Sequence, residues 1–306
     1  MELAGLGWLP WRSALVIAVI LVGAMLVARR VPRWRPAATM LGEVALILTL
    51  YAFWQYAGSL SVGGFDQADD AGRWLAGLEQ WLLWPSEAAM QQQVLGNQTL
   101  VAAADSYYAG LHTPVFVVTL AWVLFFHRRD WPFARTTVVL VTGACLLIQL
   151  KPVAPPRLLP ELGIVDTALV NDRSVYAAIP GANQLSAMPS VHIAWAAAVA
   201  LLVIVSARSR WRWLVIAYPL VTLWVVVVTG NHFIIDGVVA IILLAGAVAV
   251  TLAIPSQRPE RLLPLFDRPV ASEENGITRV AHPDASSGVA TLAAPEPATP
   301  DDASGG

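Results

Sequence analysis

The sequence predicts an all-α integral membrane protein with about seven transmembrane helices. Hydrophobic residues make up 57% of the 306 residues and charged residues only 13%, a balance that is not typical of a water-soluble domain. The apolar residues are gathered into runs of ~20 residues, the length that crosses the hydrocarbon core of a bilayer as a helix. Polar and proline-rich segments separate these runs, so the bilayer is the main solvent for this chain.

Seven apolar runs are the candidates for transmembrane helices. They lie near residues 13–29, 38–60, 113–127, 134–150, 190–207, 211–229 and 233–254. One arginine, Arg12, precedes the first run and four follow it, which is the charge order of a signal anchor rather than of a cleaved signal peptide. Glu43 interrupts the second run. Because hydrocarbon penalises a carboxylate, we expect Glu43 to face the interior of the bundle.

Residues 61–112 form the first long segment between spans. Trp74, Leu75 and Trp81 recur there at helical spacing, which predicts an amphipathic helix at the outer membrane interface. A helix that covers the bundle is a second interpretation, and the two are compatible. Another helical piece is predicted at about 97–109, leading into the third span.

Arginine is unevenly distributed among the connecting segments. It clusters after the first span, at 128–135, at 208–212 and in the C-terminal segment, whereas the intervening segments contain little. By the positive-inside rule the clusters are cytoplasmic, which places 61–112, 151–189 and the turn at Thr229 outside. The prediction is a multi-pass protein of the cell (plasma) membrane with an extracytoplasmic set of polar loops and a cytoplasmic C-terminus.

Composition divides the chain into three parts. Residues 1–37 are predicted to be an N-terminal anchor helix with a basic cytoplasmic loop, and residues 38–254 the membrane core. Residues 255–306 are rich in Pro, Ala, Ser, Asp and Glu without periodicity, which is typical of a disordered cytoplasmic tail.

Composition also excludes several classes of function. A net charge of −2 gives no sign of a nucleic-acid partner. Cys145 is the only cysteine, so neither an intramolecular disulfide nor a thiolate metal cluster can form. The sequence has no glycine-rich phosphate loop and no Cys or His spacing of a metal site, and we predict neither metal nor cofactor.

Two histidines open predicted spans at the outer face. His232 precedes Asp236 by four residues, so the carboxylate can hold one imidazole nitrogen while the other attacks a substrate. His192 follows the sequence AMPS, where Ser190 and Val191 are expected to have unpaired amides at a helix N-terminus. Such amides bind phosphate readily, so the two helix starts predict a phosphate site.

Lys151 and Arg157 supply positive charge at the start of the loop before His192. Lys151 is the only lysine among 19 lysines and arginines, and it fits either a phosphate ligand or a residue left at the membrane interface. Two cations, free amides and two histidines on one face are what phosphoryl transfer through a phosphohistidine requires. The alternative is a pair of helix-capping histidines and an interfacial arginine.

The order of these motifs resembles the type 2 phosphatidic acid phosphatase superfamily. The runs PVAPPRLLP, NQLSAMPSVHIAW and TGNHFIID, within about residues 73–252, are similar to the branch that includes inositol phosphorylceramide synthases and many bacterial membrane phosphatases. This resemblance implies a six-helix phosphatase-like core, made of the second to seventh spans, with the first helix added. It also implies that His232 is the nucleophile, with Asp236 as its orienting partner. His192 would then be the general acid and Arg157 a phosphate ligand, without a metal.

The sequence departs from the superfamily pattern at three places. Five residues separate Lys151 from Arg157, where the pattern has six. Val191 stands where glycine is usual, and Val226 stands where an arginine usually precedes the nucleophile. One phosphate cation is therefore missing unless Arg173 or Lys151 replaces it.

Four residues complete the set of candidates around the site. Gly230 and Asn231 immediately precede His232 in the same turn, and His112 lies at the start of the third span. Arg173 is the remaining cation of the long loop.

Three functions fit these residues. The first is a lipid phosphatase that cleaves a lipid-linked phosphate at the extracytoplasmic face through a phosphohistidine, in contact with the bilayer. The second is an inositolphosphotransferase-like enzyme, which passes the phosphoryl head group to a polyol instead of water, a choice that depends on whether the site excludes water. The third is a transporter or lipid-binding protein in which the histidines are structural.

Overall fold

The computed structural model describes residues 9–60, 65–172, 174 and 184–262. Within these ranges the chain is nearly all helical and forms no β-strand, which confirms the predicted all-α class. Only a single bridge between Val153 and Ser186 has β-type pairing there. Arg173 and the predicted tail from position 263 onward lie outside the described residues.

Eleven helices are numbered here in chain order. They are α1 (Trp11–Arg29), α2 (Arg35–Leu60), α3 (Phe65–Trp81), α4 (Glu87–Leu95), α5 (Gln98–Ser106), α6 (His112–Phe126), α7 (Trp131–Ile148), α8 (Thr167–Val170), α9 (Val191–Ser206), α10 (Ala217–Val228) and α11 (Ile234–Ala253). A π-helical turn at Tyr107–Leu111 joins α5 to α6, and a 3₁₀ turn at Arg210–Ile216 leads into α10.

Within the described ranges, six helical segments are long and apolar enough to cross a bilayer. They are Trp11–Arg29, Pro32–Tyr56, Gln98–Phe126, Trp131–Ile148, Arg210–Val228 and Ile234–Ala253. The third begins well before the predicted start at position 113, because the π turn continues the helix from α5. The fifth predicted span, residues 190–207, corresponds to α9, which has only 16 residues.

The short helix α9 lies at the centre of the bundle and packs against α6, α7, α10 and α11. Its buried positions include Ala194, Ala196 and Ala198. Small side chains such as these let neighbouring helices approach closely within a membrane, where tight packing replaces the hydrophobic driving force. The centre of the fold is therefore built around the helix that begins next to His192.

Helix α1, unlike α9, exposes much of its apolar surface. It packs on α2, and residues such as Val16, Val19 and Ile20 face outward, each about 60% exposed. An apolar exposed surface of this kind suits contact with lipid. Glu43 of α2 accepts hydrogen bonds from Arg135 at 3.1 Å and Trp131 at 3.2 Å, which confirms that it faces the bundle.

Helix α3 has two different faces. Trp74 and Trp81 are 66% and 77% exposed, whereas Leu75 is buried. Gly72 lies so close to the following loop that an added Cβ would stand 2.7 Å from the carbonyl oxygen of Ala154. One face of the helix therefore packs on the protein, while the other exposes two tryptophans; its place at the membrane interface stays a prediction.

Residues 151–172 and 184–190 of the long loop pack against the bundle. Val153 exchanges backbone hydrogen bonds with Leu185 and Ala187, and the Ala154 amide donates to the carbonyl of Ala68 in α3. Leu159 is fully buried in the same apolar cluster. This packing positions the polar residues that these two parts of the loop carry.

Residues 255–262 differ from the predicted tail. They form two 3₁₀ turns, in which Gln257 accepts a hydrogen bond from Thr136 and Glu260 pairs with Arg129 at 2.6 Å. Contrary to the predicted boundary at 255, this stretch is held against the start of α7.

Candidate active site

His232 lies in the turn just before α11, and its Nδ1 atom is fixed by two acceptors. Nδ1 is 2.7 Å from the carbonyl oxygen of Ala187 and 3.3 Å from Oδ2 of Asp236. Because a carbonyl oxygen can only accept, Nδ1 carries a proton, and in the neutral ring Nε2 then has the lone pair. The side chain is therefore held in the tautomer that a nucleophilic Nε2 requires.

Asp236 serves both the histidine and the helix that carries it. The residue is fully buried, and Oδ2 also accepts the backbone amide of Phe233 at 2.9 Å. A carboxylate that binds the first-turn amides of its own helix is a stabilising N-terminal cap. The His232 side chain is thus anchored to the start of α11 itself.

His192 lies in the first turn of α9, and its ring faces His232 edge-on with 5.7 Å between the ring centroids. Tyr108 stacks on the His192 ring at 4.4 Å, and His112 contacts the ring at 4.8 Å. The two histidines are thus neighbours, as their predicted roles require, although they are 40 positions apart in the sequence.

Pro189 and Ser190, which precede α9, are held by hydrogen bonds to neighbouring residues. Ser190 caps the helix, with its Oγ atom accepting the Ile193 amide at 3.4 Å, and Gln149 donates to the carbonyl of Pro189 at 3.1 Å. The amide of Ser190 donates to the carbonyl of Asp236 at 3.2 Å. The expectation that this amide is unpaired is therefore wrong, because it links α9 to α11. The described residues supply no acceptor for the amide of Val191.

Arg157 is buried beside the His232 turn, with its side chain 2% exposed. Nε donates to Oδ1 of Asn231 at 2.9 Å, and Nη1 donates to Asp166 at 3.1 Å and Gln184 at 3.2 Å. Its backbone amide donates to the carbonyl of Gly230 at 2.9 Å. The guanidinium is thus oriented in advance, which suits a rigid fork that recognises phosphate.

Gly230 allows this close approach. Its φ angle is +69°, and an added Cβ would lie 2.7 Å from Cγ2 of Ile164 and 3.0 Å from Cβ of Arg157. Asn231, the next residue, donates from Nδ2 to Oγ1 of Thr229 at 2.9 Å while accepting from Arg157. The turn that carries His232 therefore fits closely against Arg157. This contact gives Gly230 and Asn231 a structural role at their positions.

Three other residues were predicted to belong to the site: Lys151, His112 and Arg173. Lys151 is exposed just after α7, and its side chain makes no hydrogen bond or ion pair with a described residue. His112 is 4% exposed and stacks on Trp195 at 5.5 Å, while neither ring nitrogen has a hydrogen-bond partner among the described residues. Arg173 is outside the described residues, so its role stays a prediction.

Several supporting residues were not predicted from the sequence. Gln91 of α4 is 1% exposed; its amide exchanges two hydrogen bonds, each 2.8 Å, with the backbone of Val165 and also donates to the carbonyl of Val228 at 3.0 Å. Asp166 caps α8 by accepting the Leu169 amide at 3.0 Å. The capping pattern DTAL was a visible signal for Asp166. Gln91, in contrast, lies 74 residues from its partner, and no local pattern marks it.

Among the described residues no group of three or more His, Cys, Asp or Glu side chains is placed to hold a metal ion. The chemical groups that the site does provide are a fixed imidazole, a second imidazole beside it and a buried guanidinium. These groups can attack phosphorus, exchange a proton with a leaving oxygen and bind anionic oxygens.

The fold and the site together define a multi-pass helical membrane protein with a paired-histidine site. A comparison with protein families matches residues 73–250, more than half of the chain, to the PAP2 superfamily. The chain therefore belongs to this superfamily, the one that its three motifs resemble. Its members are phosphatases and phosphotransferases, which supports a function of that type. Comparisons with curated proteins and with solved structures gave no match.

Proposed function

We propose that this protein is a membrane lipid phosphatase that cleaves a lipid-linked phosphate through a phosphohistidine intermediate, at the extracytoplasmic face. The observation that carries the proposal is the fixed tautomer of His232, whose Nδ1 is bound by Ala187 and Asp236 while its ring faces His192. A purely structural histidine has no need of a second imidazole at this distance. The buried Arg157 next to the same turn adds the positive charge that a phosphate requires.

The first step forms a bond between Nε2 of His232 and phosphorus. The bond from phosphorus to the leaving oxygen breaks, and that oxygen takes a proton from the imidazolium of His192. Arg157 stabilises the negative charge on the nonbridging oxygens, and Asp236 stabilises the positive charge that develops on the His232 ring. The products are a free alcohol and phosphohistidine 232.

The second step returns the enzyme to its starting state. Neutral His192 takes a proton from a water molecule, the water oxygen bonds to phosphorus, and the bond from phosphorus to Nε2 breaks. Inorganic phosphate leaves, and His192 is again protonated. In these steps nucleophile, acid and charge stabilisation all come from side chains, and we expect hydrolysis to continue in excess chelator.

The position of the site supports a lipid substrate. His192 and His232 lie at the N-terminal ends of α9 and α11, two apolar helices of the bundle. A phosphate at the end of a spanning helix is at the depth where lipid head groups lie. The distribution of arginines supports an extracytoplasmic site, because the loops on the opposite side are the arginine-rich ones.

The test of activity uses purified protein with a lipid phosphomonoester such as phosphatidic acid, with and without an inositol-type polyol. Release of free phosphate by the wild type, together with an acid-labile radiolabelled phosphoprotein that His232→Ala lacks, would support the proposal. A new polyol phosphate monoester formed only with the polyol would instead show a phosphotransferase. Equal behaviour of the wild type and His232→Ala would leave a transport or binding function.

The side of the membrane is tested by labelling intact cells with a membrane-impermeant maleimide. Gln98→Cys lies in the region proposed to be outside and Arg128→Cys in a loop proposed to be cytoplasmic, and both positions are exposed. Native Cys145 is fully buried, so it adds little background. Labelling of the first variant alone supports the proposed orientation, and labelling of the second alone reverses it.

A further inference from the structure

The N-terminus of α11 is bound by three carboxyl groups from three different helices. Asp236 of α11 accepts the amide of Phe233 at 2.9 Å. Glu79 of α3 accepts the next-but-one amide, that of Ile235, at 2.6 Å, and Glu87 of α4 approaches the amide of Ile234 at 3.4 Å. Three successive amides of the helix that follows His232 are therefore matched by side chains, two of which come from outside the helix.

This arrangement is distant in sequence and buried in space. Glu79 lies 156 residues from its amide partner and is 3% exposed. Phe233, the N-cap residue of α11, is fully buried in an apolar cluster with Leu75 and Ala76 of α3. Burying a glutamate is costly unless its oxygens have partners, so its presence here needs a reason.

We propose that Glu79 and Glu87 are positioning residues for the reaction: they hold the start of α11 so that His232 and Asp236 keep their geometry for attack. The inference rests on the proposed function. Neither glutamate contacts a reacting atom in this scheme, and both act through the backbone of α11. Misplacement of a reacting group by about 1 Å can cost on the order of a hundredfold in rate, so a clamp on this backbone has a direct consequence for turnover.

The ionisation of the pair fits this role. Burial, and secondly the neighbouring carboxyl of Glu87, raise the pKa of Glu79 to about 9, whereas the hydrogen bond from the Ile235 amide works in the other direction. Besides Glu87 of α4, the charged group that faces Glu79 is Asp236 of α11, which also raises this pKa. At neutral pH Glu79 is therefore protonated, and its Oε1 atom still accepts the amide.

The test compares Glu79→Gln with Glu79→Leu. Glutamine keeps a carbonyl oxygen for the Ile235 amide and, like the protonated acid, has a donor to offer Glu87; leucine of similar size has neither. We expect Glu79→Leu to lower kcat about tenfold or more with little change in KM, and Glu79→Gln to restore at least half of the activity. The matched control is Gln80→Leu, the same change of shape at an exposed neighbour on α3, for which no loss is expected.

A pH profile separates positioning from simple support of the fold. Above about pH 9 the wild type should lose activity as Glu79 ionises beside Glu87 and Asp236, and Glu79→Gln should lack this loss. A glutamine variant as inactive as the leucine variant, or a leucine variant as active as the wild type, would overturn the proposal.

A measurement of thermal stability tests whether Glu79 is buried and protonated, and it needs no substrate. The unfolded chain releases the Glu79 proton near its ordinary pKa of 4.5, but the folded protein keeps it until about pH 9. Wild-type stability should therefore decline across this range relative to Glu79→Gln, so that the Tm of the variant exceeds that of the wild type increasingly as pH rises. Parallel Tm curves would contradict the buried, protonated clamp. If the wild type hydrolyses no lipid phosphate but the curves diverge, the proposed function fails and the clamp on α11 stands.

Discussion

His192 and His232 each begin an apolar helix, but the protein holds them in different ways. His232 is fixed at Nδ1 by a carbonyl and a carboxylate, so its ring has one orientation and one tautomer. His192 is held mainly by rings: Tyr108 stacks on it, and His112 packs beside it. Stacking constrains the plane of a ring without fixing which nitrogen carries the proton. A nucleophile needs the first kind of support, whereas a group that gives and regains a proton is served by the second.

The largest effect should come from removing the fixed histidine. His232→Ala is expected to lower kcat roughly 10⁴-fold, because no other side chain in the site takes over the attack on phosphorus. The measurement is phosphate release together with trapping of the phosphoprotein. His127→Ala, at the far end of α6, serves as the control and should keep its phosphoprotein. A normal amount of trapped phosphoprotein in His232→Ala would contradict the assignment of His232, rather than His192, as the nucleophile.

Replacing His192 should have an effect that depends on the leaving group. His192→Gln is expected to lower turnover of an alkyl phosphate about 10³-fold, since the leaving alkoxide is no longer protonated. The p-nitrophenolate group of p-nitrophenyl phosphate leaves without a proton. The rate of phosphoenzyme formation from this substrate should therefore fall far less in His192→Gln. Burst kinetics on the two substrates measure this contrast, and an equal loss on both would argue against a general acid.

The carboxylate that fixes His232 should matter through charge more than through shape. Asp236→Asn keeps an oxygen for the Phe233 amide but loses the charge that supports the developing imidazolium, and we expect kcat to fall about 10²-fold or more. Thermal unfolding should change little in comparison. A large drop in Tm with a proportional loss of folded enzyme would mean that Asp236 is mainly a helix cap.

The smallest effects should distinguish the two cations of the loop. Arg157→Lys keeps the charge but cannot bond Asn231, Asp166 and Gln184 together, and we expect kcat/KM to fall about 10- to 100-fold. Lys151→Ala should change kcat/KM by about threefold at most, because an exposed lysine contributes only screened charge. A larger effect at Lys151 than at Arg157 would reverse the assignment of the phosphate ligand.

Much of this architecture could be predicted from the sequence, because a bilayer selects for length and polarity. The order of spans, the place of Glu43 and the neighbouring histidines all follow from apolar runs and from polar residues at their ends. The contact between His232 and Asp236 follows from the local spacing of four residues. Local patterns of this kind are legible without knowledge of tertiary contacts.

The remaining features depend on contacts between distant parts of the chain. The Ser190 amide was expected to be free, and only the approach of α11 shows that it is taken by Asp236. The partner of Glu79 has no local signal in the sequence, because the amide that Glu79 accepts lies in another helix. The long loop read as polar and prolyl, yet Leu159 and Ala154 are fully buried in it. Periodicity identifies which residues face inward, but it does not predict which residues they contact.

The length of α9 bears on how a lipid substrate would meet His192 under the proposed function. Sixteen residues rise about 24 Å, less than the ~30 Å of the hydrocarbon core. Since α9 packs against α6, α7, α10 and α11, it need not reach both surfaces of the membrane. Each CH₂ group drawn out of the bilayer costs about 0.8 kcal/mol. A substrate that only tilts its head group toward His192 keeps its acyl chains in the membrane and avoids that cost.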